Sequence, residues 1–392
     1  MIQQSFNKLE AYLRKESYRG YDPYDTLNSW KPFHWLGKWG PVLAIQIQKR
    51  NPVNIRPLLG IKKEINPKAY GLFLQAYSLL YQKTKNEEHL DQAKYFYEWL
   101  RDNTSKGYCG KGWGYNFPWA SREKYLKKHV PSAVVTGFVA KGLYEYYKVT
   151  QSKEVFDLLK EASDFVLTEL PVTSFDEGVC FSYTPVATDL CYNASLLAAE
   201  TLARVYAIEP DDQLKEIATQ AVNWVISRQK EDGRWNYSVD MKTSIEREQI
   251  DFHQGYVLES IFEIKKLVAI QNPKWEEAIK KGLAYYRKNQ FFPDGQAVWR
   301  YPKVYPVDIH NQSQGIITFG KMKEYGEDYA AFARIIAAWT IKNMQGKNGH
   351  FYYRLGKYHK NKIPYMRWSQ AWMFLALTKL LQKDNTDIKS HE

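Results

Sequence analysis

Residues 221–240, AVNWVISRQKEDGRWNYSVD, decide the fold. AVNWVISRQ spaces its apolar residues by three and four and contains no proline, so it reads as an amphipathic helix. GRWNYSVD (233–240) then opens on glycine and places an aromatic residue within three positions, which reads as a loop at the helix end.

The unit recurs along the whole chain, and a repeat of this kind sets the architecture. Gly-aromatic loops also stand at GYDPYD (20–25), GWGYNFPW (112–119), GVCFSYTP (178–185), GQAVWRYP (295–302) and GHFYYRLG (349–356). Before each loop lies a segment with one polar face, at 2–17, 88–103, 153–170, 211–230, 273–290 and 325–345. After each comes a more apolar one, at 66–83, 131–150, 191–208, 252–270, 311–324 and 366–383. Stretches such as SAVVTGFVAKGL (132–143) are small and apolar on most faces, the mark of a helix buried all round.

Six polar-faced helices alternating with six buried ones predict an all-α (α/α)6 toroid of six outer-inner helix hairpins, expected to be a single domain over 1–392. Every Gly-aromatic loop joins an outer helix to the next inner one. The loops must therefore gather at one end and form a mouth with the inner-helix N-termini. The long first loop, 18–65, is expected to cover part of that mouth, with GKWGPVLAIQIQKR (37–50) as a short extra helix.

The first turns of the inner helices read NPKAY (66–70), HVPSA (129–133), DLCYN (189–193), DFHQG (251–255), DIHNQ (308–312) and MRWSQ (366–370). Asp189, Asp251 and Asp308 stand at N-cap positions, where a carboxylate accepts orphan backbone N–H groups. Capping does not need His129, His253 or His310, which become candidates for proton transfer and binding. Asn193, Gln254, Asn311, Gln312, Arg367 and Trp368 add hydrogen-bonding groups, a cation and a stacking surface, and Trp113, Tyr115 and Trp235 add loop aromatics. Arg56 and Lys68 belong to a basic run in the first loop, readable as a solvated edge or as an electropositive lip for an anionic chain.

A formal charge of +12 favours acidic partners. No zinc-finger spacing, RNP-like stretch or basic helix run is present, which argues against nucleic acid. No stretch approaches the ~20 apolar residues of a membrane span, and the start of the chain lacks the apolar core of a signal peptide, so peripheral association is the only membrane contact left open. Three unpatterned cysteines fit a reducing compartment, and the expected location is cytoplasmic. The oligomeric state is not encoded in any feature of the sequence.

QKEDGRW (229–235) resembles the Gln-x-x-x-Gly-x-Trp repeat of squalene cyclases and protein prenyltransferases, and QGKNGHF (345–351) is a weaker copy. In that superfamily the motif ties outer helices to loops, so it implies the toroid and not a reaction. Asp189, Cys191 and His253 resemble, in type, order and spacing, the zinc ligands of prenyltransferase β subunits, which would imply a zinc-dependent prenyl or isoprenoid transferase-like enzyme. GYDPYDTLNSW (20–30), NIRPLLGI (54–61) with NPKAYGLFL (66–74), YNASLLAAETLARVY (192–206) and IDFHQGYVLESI (250–261) resemble toroid proteins encoded with bacterial capsule and O-antigen genes. That resemblance implies cytoplasmic work on a surface polysaccharide or its lipid-linked or nucleotide-linked precursor.

Toroids of this shape include uronate lyases, glucuronyl C5-epimerases, unsaturated-uronide hydrolases and amino-sugar 2-epimerases. The leading expectation is a carbohydrate-active enzyme for an acidic, uronate-containing glycan, with no cofactor. A lyase or epimerase needs a base, an acid and a group that neutralises the enediolate. His253 and His310 fit the first two roles, with Tyr24 or Tyr192 as partner, while Arg367, Asn193 and Gln254 would hold the carboxylate. A hydrolase needs a carboxylate pair instead, drawn from Asp22, Asp25 and Asp251, although turn chemistry also accounts for Asp22-Pro23. A non-catalytic glycan-binding or scaffold protein of a polysaccharide-assembly complex is the alternative of another class.

Overall fold

The structure is a computed structural model of the chain, and residues 1–121 and 125–382 are described. In chain order the helices are α1 (Ile2–Lys15), α2 (Trp39–Arg50), α3 (Pro67–Thr84), α4 (Glu87–Asp102), α5 (Ala133–Thr150), α6 (Lys153–Glu169) and α7 (Tyr192–Tyr206). They continue as α8 (Asp212–Ser227), α9 (His253–Leu267), α10 (Pro273–Gln290), α11 (Ile309–Lys321), α12 (Glu327–Met344) and α13 (Trp372–Gln382).

The odd-numbered helices from α3 to α13 form the inner ring. Each packs on the next, and α13 packs back on α3, which closes an (α/α)6 toroid. The outer ring is α1 with the even-numbered helices from α4 to α12. Burial follows the sequence pattern: α5 is buried continuously from Ala133 to Leu143, whereas outer α4 buries only Ala93, Phe96, Tyr97 and Leu100 along one stripe. The expected inner segment 366–383 runs one residue past the described chain and opens on a π-helical turn, Met366–Ala371. The extra helix of the first loop is α2.

Two of the loops are fastened to the outer ring by the glutamine motif. Gln229 donates from Nε2 to the Gly233 carbonyl and to the Ala278 carbonyl of α10, both at 2.9 Å. Gln345 donates likewise to Gly349 (2.9 Å) and to Ser5 of α1 (3.0 Å), so the last loop is tied to the first helix and the outer ring closes. Gly233 and Gly349 have φ of +93° and +96°, and a Cβ there would lie 2.4 Å and 2.1 Å from the Lys281 and Lys8 carbonyl oxygens. Only glycine lets the loop lie on the neighbouring helix at this distance.

Two readings of the repeat change. The glycine that meets the outer helix in the second loop is Gly110, not Gly112. The first loop is built differently: Gly20 pairs with the Glu64 backbone and abuts Met366, while the Tyr21 carbonyl accepts from Met366 N at 3.0 Å.

Among the described residues, ten short antiparallel strands, not expected from the sequence, lie in the outer-to-inner connections. They pair as β1 (Trp119–Ala120) with β2 (Tyr125–Leu126), and β3 (Val172–Phe175) with β4 (Gly178–Phe181). Two three-stranded sheets join β5 (Leu190–Cys191), β6 (Ser238–Val239) and β7 (Glu246–Arg247), and β8 (Val307–Asp308), β9 (Arg354–Leu355) and β10 (Lys360–Asn361). Pairing of β5 with β6 and of β8 with β9 stitches one repeat to the next, so the mouth has a hydrogen-bonded rim.

Candidate functional site

Each loop after the first has one backbone N–H held by a side chain of the inner ring. Thr136 Oγ1 accepts from Trp113 N (3.1 Å), Ser195 Oγ from Phe181 N (3.0 Å), Gln254 Oε1 from Trp235 N (3.1 Å), Gln312 Oε1 from Ala297 N (2.6 Å) and Gln370 Oε1 from Phe351 N (2.8 Å). Buried loop backbone has no water to bond, so the inner helices supply its partners. Two residues beyond each anchored position stands an aromatic side chain: Tyr115, Tyr183, Tyr237, Trp299 and Tyr353. All but Tyr353 are partly exposed. The mouth is thereby lined by one aromatic from each of four loops, with Tyr353 of the last loop buried against Tyr365 and Trp368, and of the five sequence reasoning found only Tyr115.

The anchoring removes several sequence candidates from ligand contact. Trp113 and Trp235 are fully buried and donate their indole N–H to Leu100 and Val225 carbonyls, so they are core residues. Gln254 also donates back to the Trp235 carbonyl, and Gln312 donates to Gly295 and Thr340. Asn311 accepts from Phe252 N and donates to the Val298 and Trp299 carbonyls. Asn193 accepts from the Cys191 thiol at 3.2 Å. These amides shape the rim and are engaged on it.

The two Asp-x-His turns are used in different ways. Asp251 Oδ1 lies 2.5 Å from His253 Nδ1 and also accepts from His253 N at 3.2 Å. A carboxylate at Nδ1 accepts its proton, which leaves Nε2 as the proton acceptor. Burial alone would raise the Asp251 pKa, but His253 and Arg300 outweigh it and hold the carboxyl below its usual range. Asp308 instead caps His310 N (3.0 Å), accepts from Trp368 Nε1 (2.8 Å) and pairs with Arg354 (2.7 Å).

His310 is buried, and its Nε2 shares a hydrogen bond of 2.5 Å with the Tyr256 hydroxyl. Burial first, then Lys68, Arg367 and His253, hold this imidazole well below its ordinary pKa, so it is neutral. Both imidazoles lie 4.2 Å from the Phe252 ring, and Trp368 stands 4.7 Å from His310. His253 is the solvent-reachable member, its side chain 15% exposed.

The carboxylates proposed for hydrolysis are all paired. Asp22 receives two hydrogen bonds from Arg367, at 2.6 and 2.8 Å. Asp25 accepts from Asp22 N (2.8 Å) and from Arg56 Nε (2.7 Å), and Arg56 also donates to the Asp22 carbonyl. With Asp251 on His253, no two of the three stand as the free acid and base that glycoside hydrolysis needs. The first loop's carboxylates, with Arg56 and Arg367, form a clasp and not a catalytic pair.

Other candidates separate from the histidines. Tyr192 is buried against Trp224 and donates to Glu246 at 3.0 Å. His129 is exposed, with φ of +64°, and lies in the connection ahead of α5, not on an inner-helix turn like the other two. Asp189 accepts from Tyr183 N, Cys191 bonds Asn193, and His253 is held by Asp251. These three do not form a metal site, and no group of His, Cys, Asp and Glu among the described residues does. Tyr24 stays at the mouth, tilted against Trp368 at 5.6 Å, with the Lys49 ammonium donating to its hydroxyl.

Lys68 lies under the mouth with its ammonium 4.1 Å from the Phe138 ring, 5.3 Å from Trp372 and 5.5 Å from Tyr256. Burial, then Arg367, pushes its pKa well down. Beneath these rings the barrel interior is charged, which sequence reasoning missed. Glu200 receives Lys141 (2.9 Å), Arg204 (2.6 Å) and the Ser260 hydroxyl (2.8 Å). Lys321 pairs with Glu263, and burial, then Lys321, pushes Lys379 down to about 7. A cavity lies between the Phe138, Tyr256 and Trp372 rings and the Lys141, Glu259 and Lys379 side chains.

No protein-family model matches the sequence, and no curated protein matches it. Solved structures do match. A cellobiose 2-epimerase from Bacillus thermoamylovorans is 17% identical with a TM-score of 0.63, covering 81% of this chain and 88% of its own. A GH76 alpha-mannanase from Bacteroides thetaiotaomicron is 16% identical with a TM-score of 0.60, over 82% and 88% of the two chains. A D-mannose isomerase is 13% identical with a TM-score of 0.61, over 81% and 87%. At these identities the likeness is one of fold, and the fold is the toroid.

Proposed function

We propose that the chain is a carbohydrate-active enzyme of bacterial cell-surface polysaccharide biosynthesis, working in the cytoplasm as a single toroid domain. Its reaction is proton transfer at a sugar carbon next to a carbonyl or carboxylate, as in an epimerase, isomerase or lyase. The observation that carries this reading is the Asp251–His253 pair, which presents Nε2 as a base inside a ring of aromatic side chains. Structural neighbours that epimerise or isomerise sugars support the same direction.

His253 Nε2 takes the proton from carbon, and the electron pair moves into the adjacent carbonyl to give an enediolate. His310 is neutral and hydrogen-bonded to Tyr256, so it holds no acidic proton to give; the His253 imidazolium carries the abstracted proton and returns it to the enediolate, at the original carbon or its neighbour. An acidic glycan or its lipid-linked or nucleotide-linked precursor fits the guanidinium groups at the mouth, Arg300 and Arg354. The hydrolytic alternative is set aside because the acidic side chains it needs are paired.

The test is solvent exchange. Purified protein in D2O is incubated with reducing sugars and with uronate oligosaccharides, and loss of the proton signal at the carbon next to the carbonyl is followed by NMR. Exchange should be seen with one class, and His253→Gln should slow it by roughly 10²–10⁴. No exchange with either class, together with undiminished polysaccharide in cells carrying His253→Gln, would overturn the proposal.

A further inference from the structure

The first loop carries apolar side chains outward. On α2, Trp39, Leu43 and Ile47 stand four residues apart on one stripe and are 46%, 55% and 68% exposed. The inward face of the same helix buries Gly40, Pro41, Ile45 and Gln48. A helix packed on a soluble protein shows the opposite arrangement, with its polar residues outward. Ahead of it, Trp35 and Leu36 are 81% and 75% exposed in a 3₁₀ turn, Phe33–Leu36, that buries nothing.

This surface lies on the mouth side. Among the described residues, only Met1, Tyr95 and Ile335 of the exposed large apolar side chains lie off the outer-to-inner connections. Its charge is of one sign: residues 26–63 contain no Asp or Glu, and Lys31, Lys38, Arg50 and Lys62 are exposed. The Lys31 ammonium sits 3.9 Å from the Trp30 ring. Exposed tryptophans and leucines with lysines among them suit the boundary between headgroups and acyl chains, where rings and aliphatic stems bury and the charged tips stay wet.

We propose that the α2 face docks on an anionic phospholipid bilayer, so that the mouth opens toward the membrane surface. Anionic headgroups supply the negative charge that the segment lacks. A second copy of the chain would set the same cations against each other with no acidic residue of the segment to answer them, which opposes a self-complementary contact. No described helix is long and apolar enough to cross a membrane, so docking is on the surface.

The experiment is co-sedimentation of the full chain with phosphatidylcholine vesicles and with vesicles containing phosphatidylglycerol. Binding should require phosphatidylglycerol, weaken with added salt and shift tryptophan emission to the blue. The double variant Leu43→Glu/Ile47→Glu, and separately Trp35→Glu, should each lower binding at least about tenfold. Both should keep the wild-type circular dichroism, because these side chains lie outside the core. Absence of binding to anionic vesicles would overturn the proposal, as would binding that all these variants retain. A dimer in analytical ultracentrifugation that Leu43→Glu/Ile47→Glu abolishes, without vesicle binding, would assign the face to a second copy instead.

Discussion

Asp22 holds Arg367 through two hydrogen bonds across 345 residues of sequence. Both side chains are buried, and the pair joins the first loop to the segment where the inner ring closes. Asp22→Asn should strand the guanidinium and cost about 3–5 kcal/mol of stability, read from urea unfolding. The double variant Asp22→Leu/Arg367→Met should recover much of that loss, because it removes both charges together. A double variant no more stable than the single one would show that the pair acts by more than mutual neutralisation.

Asp251→Asn and Asp308→Asn should part company although both alter an Asp-x-His turn. The first removes the carboxylate that fixes the His253 tautomer, so turnover should fall about 10²-fold or more with little change in melting temperature. The second leaves a capping side chain but removes the charge paired with Arg354, so stability should suffer first. Activity and thermal unfolding, measured on both variants, decide it.

Acid should weaken the fold through His310. Its pKa is depressed in the folded protein, so below about 6.5 the unfolded chain takes up a proton that the folded one refuses. That stability is present above pH 6.5 and is lost as pH falls through the window beneath it. The urea midpoint of the wild type should therefore drop more steeply between pH 7 and 5 than that of His310→Gln. Parallel curves would count against a neutral buried imidazole.

Gly349→Ala should be far more damaging than a glycine change in open loop. A Cβ there would lie 2.1 Å from the Lys8 carbonyl oxygen, and φ is +96°, so the loop must leave α1. A loss above about 2 kcal/mol is expected by chemical unfolding. Gly107→Ala, also at positive φ but with nothing within 4 Å, supplies the comparison for backbone strain alone.

The helical rings were legible because burial imprints itself on every residue of a helix. AVNWVISRQ has one apolar stripe and SAVVTGFVAKGL has almost no polar face, and those patterns separate α8 from α5 without any long-range information. The rim was not legible. Whether Gln254 faces a ligand or the Trp235 backbone depends on a hydrogen bond between neighbouring segments, and composition at the first turn is the same in either case. Asp22 and Asp25 misled for the same reason, since their partners Arg367 and Arg56 are distant in sequence. One signal was available for the aromatic ring. The positions two residues after Trp113, Phe181, Trp235, Ala297 and Phe351 are all aromatic, which alignment of the loops on those anchors would have shown.

The ion pairs around Glu200 make the toroid blind. Below Phe138 and Tyr256 the interior is filled from four successive inner helices by Lys141, Glu200, Glu259 and Gln314, all buried, so a chain cannot thread through the ring from one side to the other. Entry and departure therefore share a single opening, the mouth at which the His253 side chain meets solvent.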